Sequence, residues 1–224
     1  MAVEADFTYL RSLIEGGVVS GPVLEIGSRA WQGVDEGNAR AVCKAAEVDW
    51  EGTDIVEGEG VDFVLDILDV DAVAAVDRQW STVLLFNLLE HVYNPILALE
   101  HACRLVAPGG VIVVVGPAVW QLHDYPKDYW RPMPDFFLEF GHRNAFEVPF
   151  DLMMWIVEEQ VIPVSRFSLQ EQKQLPCISR PGVFEVWGKR RAYWSRGVHL
   201  LLRTFGGATQ FPHAGLGVVI RKPV

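Results

Sequence analysis

Between residues 22 and 121 five short runs rich in β-branched and apolar residues alternate with helical patterns, and this rhythm constrains the fold more than any other feature. The runs are Val23 to Gly27, Val48 to Ile55, Val61 to Asp66, Ser81 to Asn87 and Val111 to Val115. Runs of that length, joined by helical connections, build βαβ units and a parallel sheet buried on both faces. The last run, Val-Ile-Val-Val-Val, is too short for a typical helix and β-branched throughout. After Pro95, the apolar positions Ile96, Leu97, Leu99, Ala102, Cys103 and Val106 follow helical spacing, and Pro108-Gly109-Gly110 is expected to stop that helix. With 224 residues, half of them hydrophobic, the chain can cover such a sheet, which excludes a disordered tail or a disulfide-stapled miniprotein.

Beyond residue 122 an aromatic and charged loop is followed by less regular patterns. Helices are predicted over about 134–140 and 150–159, a strand near 161–167, a basic helix over about 192–204 and a closing strand over 216–221. No linker is long enough to divide the chain, so residues 1–224 read as a single domain. Cys43, Cys103 and Cys177 are too widely spaced for a CxxC metal site or a paired framework and read as reduced thiols. The stretch Val111 to Trp120, free of strongly polar side chains, is about half a membrane span, and the N-terminus carries Glu4 and Asp6 instead of the basic start of a secretion signal. A cytoplasmic protein is the expectation.

Charge is distributed unevenly. Up to residue 130 there are 7 basic against 21 acidic residues, and beyond it 12 against 8, with no acidic residue after Glu185. A general nucleic-acid binder is therefore disfavoured. The stretch Trp187 to Arg203 is left as a solvated helix face, a docking surface for an anionic acceptor or a membrane surface, or a local nucleic-acid contact.

In an open α/β sheet, ligands bind beyond the carboxyl ends of the strands. Glu25, Gly27, Asp54, Asp66 and Asn87 occupy those ends. Converging carboxylates repel one another unless a ligand brings hydrogen-bond donors or positive charge. A nicotinamide dinucleotide would need a G-x-G-x-x-G turn around its pyrophosphate, whereas Gly27-Ser28-Arg29-Ala30-Trp31-Gln32-Gly33 has arginine at the second glycine position. S-adenosylmethionine carries a sulfonium, an ammonium, a ribose diol and an adenine amino group, and suits an acidic pocket better.

The ordered segments Val23-Leu24-Glu25-Ile26-Gly27-Ser28, Gly52-Thr53-Asp54-Ile55, Asp66, Phe86-Asn87-Leu88-Leu89-Glu90-His91-Val92 and Pro108-Gly109-Gly110 resemble the motifs of class I S-adenosylmethionine-dependent methyltransferases over about residues 20–135. The resemblance implies a Rossmann-like, doubly wound, mostly parallel seven-stranded sheet with an antiparallel last strand. Residues 1–130 would then bind the cofactor and 131–224 face the acceptor. It further implies that Glu25 and the Gly27 turn, with Ser28 and Arg29, face the cofactor's methionine end. Asp54 and Ile55 would take the ribose, Asp66 and the Ile67 backbone the adenine, and Asn87 and Leu88 the reactive end. Arg29 departs from the usual glycine-rich turn and either pairs with the cofactor's carboxylate or faces solvent.

The loop His123-Asp124-Tyr125-Pro126-Lys127-Asp128-Tyr129-Trp130-Arg131 follows the fifth run and is expected to overhang the acceptor's entrance. Its pattern resembles one in a bacterial subgroup of these methyltransferases. His123 is the candidate base, because an unperturbed imidazole titrates near neutrality, and Asp124 is its candidate partner. Tyr125, Tyr129 and Trp130 would wall the acceptor, and Arg131 would meet an anionic group; the bland alternative is a loop pinned by its aromatics, with Arg131 bonding carbonyls. His91 is open between substrate contact and a local structural role. The expected acceptor is a small molecule or a glycan- or lipid-linked compound, methylated at oxygen. Methyltransferases acting on base amino groups and glutamine amides resemble Asn/Asp-Pro-Pro-Tyr/Phe at the position where this chain has Asn87-Leu88-Leu89-Glu90, which argues against those acceptors. No metal is expected. A non-catalytic cofactor-binding protein and a nicotinamide oxidoreductase are the remaining alternatives.

Overall fold

A computed structural model describes residues 4–30, 38–120, 127–157, 160–164 and 214–224. The chain divides into two units; residues 165–213 lie outside that description, and the described residues belong to the unit Met1–Val164 with His213–Val224. Within it, the chain runs α1 (Glu4–Glu15), β1 (Val23–Ile26), α2 (Ala39–Ala45), β2 (Trp50–Asp54), β3 (Phe63–Val64), α3 (Val70–Ala74) and β4 (Trp80–Phe86). A 3-10 turn (Leu89–His91), α4 (Pro95–Leu105), β5 (Val106–Val119), α5 (Pro134–Asn144), β6 (Met154–Val157), β7 (Gln160–Pro163) and β8 (Ala214–Arg221) follow.

The strands form one sheet in the order β3-β2-β1-β4-β5-β8-β6-β7. From β3 to β5 all pairings are parallel, whereas β8 runs antiparallel to both β5 and β6. The order reverses between β1 and β4, so the ligand crevice of such a sheet opens beyond their carboxyl ends.

Alternation sets the two faces. Leu24, Ile26, Val83, Leu85, Ile112 and Val114 bury into one core, against Ala98, Leu99 and Ala102 of α4. Val23, Leu84, Phe86, Val111, Val113 and Val115 bury into the other, against Phe7, Leu10 and Leu13 of α1 and Val42 of α2. Since consecutive strand residues point to opposite faces, both kinds of neighbour must be apolar, and the central strands read as unbroken hydrophobic runs.

The structure corrects several expectations. The sheet has eight strands among the described residues, because β7 pairs with β6 as an added antiparallel edge. The reversed closing strand is present as β8. Residues 150–157 form a 3-10 turn, Phe150–Leu152, and then β6, in place of a helix; pairing with β8 decides between two forms that a short apolar run leaves open. The strand placed near 161–167 is β7, Gln160–Pro163. Helix α4 begins as expected, with Pro95 in its first turn and Asn94 accepting the Leu97 N–H, but it ends at Leu105. Pro108-Gly109-Gly110 lies within β5, where Gly109 has φ +74°. The predicted basic helix over 192–204 falls outside the described residues. No helix among the described residues is long and apolar enough to cross a membrane.

Candidate active site

The turn after β1 is built on β2. Gly27, at φ +84°, and Ser28 both donate backbone N–H bonds to the Thr53 carbonyl, at 2.8 and 3.1 Å. A Cβ on Gly27 would lie 3.1 Å from Leu88 Cδ1, so this turn packs directly against the residue following Asn87. The 55–62 loop folds back over the same turn. Ala30 N–H donates to the Glu59 carbonyl at 2.8 Å, and Ser28 Oγ donates to the Gly60 carbonyl at 2.7 Å.

Asp54 ends β2, and its carboxylate accepts from the backbone N–H groups of Arg29 and Val56, each at 3.3 Å. Ile55 beside it is 61% exposed. The Arg29 side chain runs along the loop, where a Cβ on Gly58 would meet its Cγ and Cδ at 2.9 Å. Glu25 accepts from Trp50 Nε1 at 3.0 Å, and burial lifts its carboxyl to about 7 although the indole N–H pulls it down. Proximity to a positively charged group would relieve that cost.

Asp66 caps its own turn through the Leu68 N–H at 2.8 Å. The Ile67 side chain is buried, and its carbonyl meets Nδ1 of the buried His101 at 2.6 Å. Asn87 stands in the left-handed region at φ +48°, with its N–H on the Val115 carbonyl and its Nδ2 donating to Asp6 at 3.2 Å. Thus the ends of β1 to β4 bring Glu25, Gly27, Asp54, Asp66 and Asn87 to one edge of the sheet, and Asp6 of α1 reaches the same edge.

The acceptor side assembles around the turn after Leu88. Tyr129 N–H donates to the Glu90 carbonyl at 2.7 Å, and His91 Nδ1 meets the Lys127 carbonyl at 2.6 Å. A carbonyl only accepts, so Nδ1 donates, and the ring's Nε2 stands 3.8 Å from Glu90 Oε1. Tyr129 stacks edge-on against Tyr93, and Trp130 Nε1 donates to the Tyr93 carbonyl. These three aromatics are 42–74% exposed. Arg131 is committed to Asp128 through both terminal nitrogens, and also to the Trp130 carbonyl at 2.9 Å. The guanidinium is thereby held mainly by a carboxylate of its own loop, with one backbone carbonyl beside it. His123, Asp124 and Tyr125 lie outside the described residues.

Four functional candidates lack a sequence signal strong enough to single them out: Glu90, Asp6, Tyr93 and His101. Glu90 was visible beside His91, but only packing shows it to be 1% exposed, with neither carboxylate oxygen hydrogen-bonded. It borders a cavity lined by Leu89, Val114, Gly116, Pro132, Phe137 and Leu216. Asp6 lies 81 residues from Asn87, and nothing local announces their contact.

Residues 15–150 match the family described as a methyltransferase domain. None of the curated proteins compared with the chain matches it. Among solved structures the chain is similar to a S-adenosylmethionine-dependent methyltransferase from Archaeoglobus fulgidus, at 14% identity and TM-score 0.55, over 97% of this chain and 93% of the other. It is also similar to phosphoethanolamine N-methyltransferase 2 of Haemonchus contortus, solved with phosphomonomethylethanolamine and S-adenosylhomocysteine, at 16% identity and TM-score 0.51, over 97% of this chain and 53% of the other.

Proposed function

The chain belongs to the methyltransferase domain family and is an S-adenosylmethionine-dependent methyltransferase, and we propose that it methylates a small-molecule acceptor at oxygen. The observation that carries the cofactor side of this reading is the row of strand-end groups, Glu25, Asp54, Asp66 and Asn87, around two left-handed turns at Gly27 and Asn87. The donor set fits the cofactor. Asp54 and Asp66 are acceptors for the ribose and adenine donors, and Glu25, whose carboxyl burial lifts to about 7, gains from an ammonium nearby. When bound, the cofactor supplies an electrophilic methyl group on a sulfonium. The chain's own part is to align the acceptor, exclude water and accept a proton.

On the acceptor side, Tyr93, Tyr129 and Trp130 form an exposed aromatic edge beside the turn that holds Glu90 and His91. His123 and Asp124 complete that side in this reading. The absence of Asn/Asp-Pro-Pro-Tyr/Phe after β4 supports a hydroxyl over a planar amide or base amino group. His123→Ala is expected to bind S-adenosylhomocysteine as the wild type does while methylating acceptor more slowly. Equal turnover of the two would remove His123 from the site.

Calorimetric titration with S-adenosylhomocysteine tests the cofactor side directly, and well-folded protein that binds none would overturn it. The same titration checks Glu25. Its carboxyl sits at about 7, and a bound ammonium favours the ionised form. Affinity should therefore rise about tenfold from pH 5.5 to 7, below the range where an α-amino group loses its proton. Glu25→Gln keeps an acceptor for Trp50 and should flatten that rise; a rise that persists unchanged would place Glu25 away from the ammonium.

A further inference from the structure

Resting on the methyltransferase reading, we propose that Glu90 is the catalytic residue that takes the proton from the acceptor. Burying a carboxyl costs free energy unless hydrogen bonds or charge compensate it. Glu90 is 1% exposed, neither of its oxygens has a hydrogen-bond partner, and the cavity it borders is otherwise lined by apolar groups and backbone. Nothing in the described residues uses this group to hold the fold together. The cavity has room for about one water-sized group, so a single O–H or N–H reaching into it would supply the missing partner.

Its position suits that task. Glu90 lies three residues beyond Asn87 at the carboxyl end of β4, and a Cβ on Gly116, toward the carboxyl end of the neighbouring β5, would come 3.6 Å from Glu90 Oε2. His91 Nε2 stands 3.8 Å from Oε1; the positive charges of the chain's amino terminus and of Arg131 favour the ionised carboxyl, and Asp128 opposes it. From β5, β8 and α5 come only Val114, Gly116, Leu216 and Phe137. Burial dominates and lifts the carboxyl to about 7, so near neutral pH it both accepts and releases a proton. In the transfer, the acceptor's heteroatom forms its bond to the methyl carbon as the carbon–sulfur bond breaks, with that electron pair staying on sulfur. The heteroatom's proton goes to a Glu90 oxygen.

Three measurements on the full chain test this. With S-adenosylhomocysteine bound, dicyclohexylcarbodiimide should label Glu90 at pH 6, as read by peptide mass spectrometry, and labelling should fall with a midpoint near pH 7. Glu90→Gln should unfold at a higher temperature than the wild type at pH 8, and the difference should shrink as pH falls below 7 and vanish near pH 4, where the carboxyl is protonated in the unfolded chain as well. A midpoint in the ordinary carboxylate range, or a Glu90→Gln protein less stable than wild type at pH 8, would assign Glu90 to the fold and overturn the proposal. In a panel of phenols, aliphatic alcohols and primary amines with methyl-labelled cofactor, Glu90→Gln should lose about 100-fold or more in turnover. It should also lose the rise of rate through pH 7, with S-adenosylhomocysteine affinity unchanged within about twofold. Wild-type turnover by Glu90→Gln overturns the proposal. A wild type that binds cofactor but methylates no panel member counts against the small-molecule reading, and the labelling and stability results then decide for or against Glu90.

Discussion

Gly52→Ala is expected to abolish measurable S-adenosylhomocysteine binding and to lower the unfolding temperature by about 6–12 °C. A Cβ at residue 52 would lie 2.1 Å from the Gly60 carbonyl oxygen, 2.4 Å from Ser28 Oγ and 2.5 Å from the Trp50 ring. The nearest of these is backbone, and the loop that holds it is tied to the turn after β1 through Ser28 and Ala30. Relief therefore requires the 55–62 loop to move off that turn. Overpacking of this kind costs about 3 kcal/mol, and each kcal/mol is worth about 2–4 °C in a chain of this size. The same displacement pulls Asp54 from Arg29, which couples the stability loss to the binding loss. Differential scanning calorimetry and titration on one preparation check both. Wild-type affinity in a destabilised Gly52→Ala protein would show that the loop and the cofactor site are independent.

Asp54→Ala should weaken S-adenosylhomocysteine by about 10- to 150-fold, the equivalent of about 1.5–3 kcal/mol for a charge-assisted contact to the ribose. The carboxylate stands at the end of β2 with its two protein contacts both at 3.3 Å, from the N–H groups of Arg29 and Val56, so it keeps accepting capacity for a ribose diol. The substitution removes no buried apolar volume, and the unfolding temperature without ligand should change little. Titration of the variant separates the two effects. Affinity equal to wild type would place the ribose elsewhere; a large drop in unfolding temperature would make Asp54 a structural cap of the turn.

The strand-end residues were legible because each closes an apolar run. Glu25, Asp54 and Asn87 could be placed at the crevice from the run lengths alone, and the structure puts them at the ends of adjacent parallel strands. Asp66 and Ile67 follow β3 as expected, although the Asp66 carboxylate already accepts from the Leu68 N–H and the Ile67 carbonyl meets His101. Other features left no local trace. Helix α1 has its apolar residues at 5, 7, 9, 10 and 13, a pattern that becomes meaningful only against the sheet, where Tyr9 lies against Gly217 of β8 and donates to the Leu152 carbonyl. The run from Phe150 is equally compatible with helix and strand until β8 presents an open edge to it. The Arg131–Asp128 pair has i,i+3 spacing but lies in a loop, where no helix brings such residues together, so the sequence does not announce it.

Sequence alone determined the parallel half of this protein: alternation in β1, β4 and β5 demands burial on both faces, and the polar residue ending each run marks the ligand edge. Those are consequences of chain stereochemistry and need no knowledge of distant contacts. Tertiary structure alone decided which of the polar groups near that edge are satisfied. Asp128 neutralises Arg131, Asp6 holds Asn87, and Glu90 is enclosed by side chains from β5, β8 and α5 without a hydrogen-bond partner. Hydrogen bonding and desolvation depend on atoms brought together from residues as far apart as 89 and 216, and it is this enclosure that turns an ordinary glutamate beside a histidine into a group able to take a proton near neutral pH.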